Sequence, residues 1–147
     1  MQLTNKVKTI LCKTAVAAGS SDITDATAVD MAGYEGVRFI FAFGTITAGA
    51  VTSVAAAGLA TSSPTPGTDD LLGTKITVAD TDDDKLVILD IHRPIQRYVR
   101  PFVKRATQNA VVNCIIAELY GSETMPVAKD ATVTAQELHV AEPAGTA

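Results

Sequence analysis

From Val37 to Phe43 every second residue is large and apolar: Val37, Phe39, Phe41 and Phe43 fall on one side of an extended chain, with Arg38, Ile40 and Ala42 on the other. A period of two belongs to a strand, and the Phe side must be core. The other side is largely apolar too. Such a strand is either covered on both faces or lends its Ile40 and Ala42 face to a subunit contact, and the contact is the expectation taken here.

Short apolar segments of the same kind recur along the chain, at Val7–Ala15, Val29–Met31, Val37–Ile46, Val51–Thr61, Lys75–Val78, Leu86–His92, Tyr98–Thr107 and Ala110–Leu119. Breakers separate them, among them Gly19-Ser20-Ser21-Asp22, Gly33-Tyr34-Glu35-Gly36, Thr47-Ala48-Gly49 and the Ser62–Thr68 loop with its two prolines. Eight short strands joined by loops predict an all-β fold, an antiparallel β-sandwich with a jelly-roll-like winding. Val54-Ala55-Ala56-Ala57 could start a helix, but Gly58 and the flanking Thr and Ser favour a strand. Along Leu86–His92 one face carries Val87, Leu89 and Ile91, while the other turns polar only at Asp90 and His92, as in a strand leaving the core. Pro101 cannot donate to a ladder, so Tyr98–Thr107 is expected at an edge or bulge, guarded by its charges.

The strands make one domain, residues 1–120. After Gly121 the composition shifts to Ala, Thr and Val with Pro126 and Pro143, which predicts an extended C-terminal arm over residues 121–147. Terminal segments fray unless something holds them, and an ordered arm would suggest that a neighbouring subunit pins it.

No apolar run approaches the roughly 18 residues of a membrane helix, so no membrane partner is expected. The start, Met1-Gln2-Leu3-Thr4-Asn5-Lys6, has no secretory pattern, and synthesis in the cytoplasm is expected. Cys12 and Cys114 lack the spacing of a zinc site and are expected as buried free thiols.

Aspartates crowd Asp80-Thr81-Asp82-Asp83-Asp84-Lys85, but Lys85 stands where a calcium loop needs Gly, and Ile91 where it needs a bidentate Glu. A solvated turn is the better reading. His92 and His139, the two histidines, form no local metal pair or nucleophile set, and no nucleophile elbow or phosphate-cradling loop occurs. Neither catalysis nor a cofactor is expected.

A net charge of −4 and a pI near 5.0 argue against nucleic acid as the partner. The basic residues are nevertheless clustered. Arg93, Arg97, Arg100, Lys104 and Arg105 supply five of twelve within thirteen positions that hold no acid. This stripe has three readings: a charge-guarded edge strand, a docking face for an acidic protein surface, or a nucleic-acid contact with Tyr98 and Phe102 as stacking residues. With Ile40 and Ala42, these five are the candidate interface.

Three segments, Ala28–Phe39, Val78–Lys85 and Leu89–Pro94 continued by Arg97-Tyr98-Val99-Arg100, resemble small head proteins of tailed bacteriophages. The likeness is to capsid cement, or decoration, proteins, in particular the jelly-roll type of short-tailed phages, and it spans roughly residues 5–125. The resemblance implies a structural protein on the outer capsid surface of a virion, the major capsid protein as partner, and a homo-oligomer, with a homodimer favoured over a homotrimer. It implies no catalytic residue. The alternative is a carbohydrate- or receptor-binding module on the phage surface or tail, against which stands the lack of Trp and the count of three Tyr. A metal-dependent jelly-roll enzyme would need His92 or His139 as ligands.

Overall fold

The computed structural model describes residues 2–47, 49 and 52–139. After a single helical turn, α1 (Leu3–Lys6), come eight strands: β1 (Lys8–Lys13), β2 (Val29–Asp30), β3 (Gly36–Ile46), β4 (Thr52–Leu59), β5 (Ile76–Val78), β6 (Leu86–His92), β7 (Tyr98–Lys104) and β8 (Ala110–Tyr120). They form two antiparallel sheets ordered β1-β8-β3-β6 and β2-β7-β4-β5. Apart from the β4–β5 hairpin, the chain crosses between the sheets at every connection, which is the winding of an eight-stranded jelly roll. Each expected strand is present. Met1, Ala48, Ala50, Val51 and residues 140–147, which include Pro143, lie outside the described residues.

The core follows from the alternation. Val37, Phe39, Phe41 and Phe43 are 2% exposed or less and point between the sheets. Opposite them β4 contributes Val54 and Ala56, and β7 contributes Val99 and Val103. In β8 the inward residues are Val112 and Ile115, three apart, because the pairing with β3 slips between Cys114 and Val112. A bulge there re-aims the chain so that both residues reach the core.

β4 is a strand, and all but its last residue are buried. Its outward Ala55 and Ala57 pack with Phe102 in a small second cluster. Past the β5 pairing, the edge of β4 is closed by the loop before β5, where Leu71 N–H donates to Ala56 O and Gly58 N–H to Asp69 O, both at 2.9 Å.

The expected edge position of the Pro101 strand is not what the fold gives. β7 lies inside its sheet, between β2 and β4. Ladder parity explains why a proline is tolerated. Val103 exchanges hydrogen bonds with Ile23, and Arg97 O accepts from Met31 N–H, so odd-numbered residues of β7 turn their main-chain groups away from β4. Pro101 therefore faces the gap between the two-residue β2 and the Ile23 bridge, where no N–H is required.

The arm folds back along its own chain. Asp130 pairs with Lys8 at 3.3 Å, Thr132 Oγ1 accepts from Leu11 N–H at 3.0 Å, and Val127 N–H donates to Asn5 O at 3.0 Å. From Val127 to Gln136 the arm is thus held by β1 and α1 of the same chain.

Candidate functional site

Ile40 and Ala42 lie on the outer face of the first sheet, both half-buried. The ladder sets Ile40 between Ile116 and Ile88, and Ala42 between Cys114 and Leu86. Leu86 is 62% exposed and Ile88 50%, so the face opens to solvent towards β6. This apolar surface spans three adjacent strands.

Below it the same face turns polar. Arg38 donates from Nε to Glu118 Oε2 at 2.8 Å, and Tyr120 OH donates to Asp90 Oδ1 at 2.7 Å. Desolvation first, then the bond to Asp90, pushes the Tyr120 phenol up to about 12. The His92 ring stacks on Tyr120, with centroids 6.4 Å apart, and its Nε2 lies 3.7 Å from Glu35. Tyr120 can lie there because Gly36 has no Cβ, and one would run into the ring. An open cleft of about 260 Å³ beside this cluster is lined by Leu3, Val7, Arg38, Asp90, Glu118 and Tyr120.

The basic residues do not act as a set. Arg93 pairs with Glu35 at 3.2 Å. Arg97 forks onto Asp30 at 2.9 and 2.8 Å and lies over the Tyr98 ring. The Arg97 fork is the main reason Asp30 is held below the usual carboxylate range. Arg100 donates to Thr24 O and to Ser63 Oγ. Lys104 covers Phe102 and approaches Asp70 at 3.8 Å. Arg105 is 5% exposed and presents no surface: it donates to the carbonyls of Ser21, Ala17 and Ala110. Within the chain Arg93, Arg97 and Lys104 thus meet carboxylates, Arg100 and Arg105 meet neutral oxygens, and the five fall on a loop, one sheet face and the interior.

Asp82 and Asp83 are spent on their turn. Asp82 accepts from Ala79 N–H and Lys85, and Asp83 accepts from Ile46 N–H at 2.6 Å. Among the described residues no three His, Cys, Asp or Glu side chains converge as a metal site. Cys12 is buried in the core, and desolvation, with Asp130 nearby, pushes its thiol up to about 12. Cys114 is half-buried on the outer face, where a buried thiol was expected.

No family model and no curated protein matches this chain. A solved chain from the disulfide-linked pili of Bacillus endospore appendages is similar over 78% of this chain and 88% of its own, at 8% identity and a TM-score of 0.43. A likeness of that size carries no functional argument.

The sequence reading missed four exposed aliphatic residues, Leu72 (100% exposed), Ile95 (97%), Leu86 and Ile88. For the last two the signal was present in the apolar start of the second face of β6. Leu72 and Ile95 are single apolar residues in loops, and one such residue is an ordinary surface feature. Only the fold sets them together, around a groove that Ile91 and Pro94 also line.

Proposed function

We propose that this chain is a structural virion protein that decorates and stabilises a capsid shell through non-covalent contacts bridging major capsid protein subunits. The observation that carries the reading is the outer face of the first sheet, where Ile116, Ile40 and Ile88 stand in one row and Cys114, Ala42 and Leu86 in the next. A contiguous apolar surface of this kind is what subunit contacts bury. The charged groups support the same reading by their disposition. Arg93, Arg97, Lys104, Arg105, Asp82 and Asp83 are engaged within the chain, which leaves broad adhesion as the chemistry on offer. Weak contacts repeated by symmetry over a shell sum to a large stabilisation, so one modest patch per subunit suffices. The resemblance of the three sequence segments to capsid cement proteins supplies the particular setting.

The reading is tested by mixing the purified full-length chain with expanded shells that lack it and following co-sedimentation. Saturable binding at a fixed ratio to capsid subunits is expected, with Ile40→Lys weakening it at least about tenfold, ~1.4 kcal/mol. Absence of binding by the unmodified chain at every salt concentration would remove the proposal.

A further inference from the structure

The two sides of the sandwich are finished differently. On the β1 and β2 side, Thr27 N–H bonds to Cys12 O at 2.8 Å, and the arm lies along β1 through Thr132 and Asp130. On the other side β6 pairs with β3 alone. Flanking bonds fix its parity: Phe43 N–H donates to Lys85 O at 3.1 Å and Arg93 N–H to Glu35 O at 2.8 Å. Odd-numbered residues of β6 therefore face β3, and the N–H and C=O groups of Leu86, Ile88, Asp90 and His92 point outward from the sheet. Among the described residues none of these groups has a partner within the chain.

Edges this long are normally guarded by Lys, Pro, a bulge or a covering loop. β6 has no Lys, Pro or bulge between Leu86 and His92, and its one carboxylate, Asp90, accepts from Tyr120. It reads Leu-Val-Ile-Leu-Asp-Ile-His, its pairing with β3 is unbroken over seven residues, and its outward Leu86 and Ile88 are both more than half or half exposed.

We propose that β6 pairs antiparallel with β6 of a second copy of this chain, joining two four-stranded sheets into one of eight strands across a two-fold axis. The proposal rests on the reading of the chain as an assembly subunit and names the edge through which copies join. A second copy fits for two reasons. Antiparallel pairing of identical strands is self-complementary, so one open edge serves both molecules. With the axis at Ile88, register arithmetic then sets each Ile88 against its own counterpart and each His92 opposite Asp84 of the second copy. That places a carboxylate against an imidazole, sets the two Ile88 side chains together, and puts each Asp90 opposite Leu86 instead of its twin. Asp84 and His92 are both exposed in the single chain, and in the pair His92 exchanges its 3.7 Å approach to Glu35 for the Asp84 carboxylate.

Sedimentation equilibrium of the full chain, together with two variants, tests the pairing. Ile88→Pro removes an N–H that bonds nothing within the chain, so the fold is retained while the edge is blocked. The unmodified chain is expected as a dimer and Ile88→Pro as a monomer of half the mass with an unchanged far-ultraviolet dichroism spectrum. Should Ile88→Pro not fold, Ile88→Cys in a Cys114→Ser background decides: the axis sets the two thiols of position 88 opposite one another, about 5.5 Å apart at their Cα atoms, and a short bis-maleimide is expected to convert the chain to a covalent dimer. A monomeric unmodified chain, a dimer that survives Ile88→Pro, or an Ile88→Cys chain that does not cross-link would each overturn the pairing. Shell binding by a chain that sediments as a monomer leaves the proposed function standing and removes only this inference. A dimer linked through position 88 that binds no shell does the opposite.

Discussion

Arg105 reaches across 88 positions of sequence to donate from Nη1 to the carbonyl oxygen of Ala17, at 2.7 Å. The same guanidinium holds Ser21 O and Ala110 O, and the Arg105 main-chain N–H holds Asp22 Oδ1 at 2.9 Å. One buried side chain thus ties the loop between β1 and β2 to the start of β8. Its removal leaves three carbonyls without this donor, that of buried Ala110 among them, and Arg105→Met is expected to cost about 3 kcal/mol, by the penalty for unsatisfied buried groups. Thermal unfolding followed by circular dichroism checks this, with a fall in Tm of roughly 10 °C. Arg105→Lys is expected to recover little, because one ammonium cannot span three acceptors as the planar fork does.

Adjacent residues of β3 separate core from contact surface. Phe39 is fully buried between the sheets, and Phe39→Ala is expected to cost about 3–5 kcal/mol in denaturant unfolding. Ile40, one position along, points outward and is half-buried. Ile40→Ala is expected to cost less than about 2 kcal/mol in the free chain, since it removes methylenes that are only partly covered. Its larger effect should appear in shell binding.

The arm is expected to loosen in acid. Desolvation pulls the Asp130 carboxyl up, but the main chain and hydroxyl of Thr132, together with Lys8, outweigh it and hold the group below its ordinary range. A lowered folded pKa means the contribution is complete above the unfolded value. It is lost as pH falls through the folded one, below about pH 4. Hydrogen-exchange protection factors of residues 122–139, taken against the intrinsic rate at each pH, should therefore fall below pH 4, and Asp130→Asn should show low protection at neutral pH as well.

The two thiols should react in sequence. Cys12 is 3% exposed, with its thiol pushed up to about 12, whereas Cys114 reaches the outer face. Titration with a disulfide reagent is expected to modify Cys114 alone in the native chain and both thiols in denaturant. Shell binding should protect Cys114, because it shares its row with Ala42 and Leu86.

What the sequence made legible was whatever obeys local periodicity. The Phe39-Phe41-Phe43 face, the eight strands and the two-sheet class follow from alternation and from breakers. Pro101 misled because its rule concerns a missing donor, and whether that donor is needed depends on how short β2 is, a fact of pairing. The partners of the basic stripe were hidden in the same way. Arg97 meets Asp30, and Arg105 the carbonyl oxygen of Ala17, only after the chain has wound, so side chains with no partner inside their own thirteen positions find one far along the sequence. Leu86 and Ile88 were visible as an apolar stretch, but the openness of their edge is set by the strand order.

The most direct test of the account is a reconstruction of the decorated particle at a resolution that shows side chains. It should place this chain on the outside of the shell, with the face carrying Ile40 and Ala42 covered by capsid subunits. A particle in which that face looks into solvent while another surface makes every contact would contradict the account.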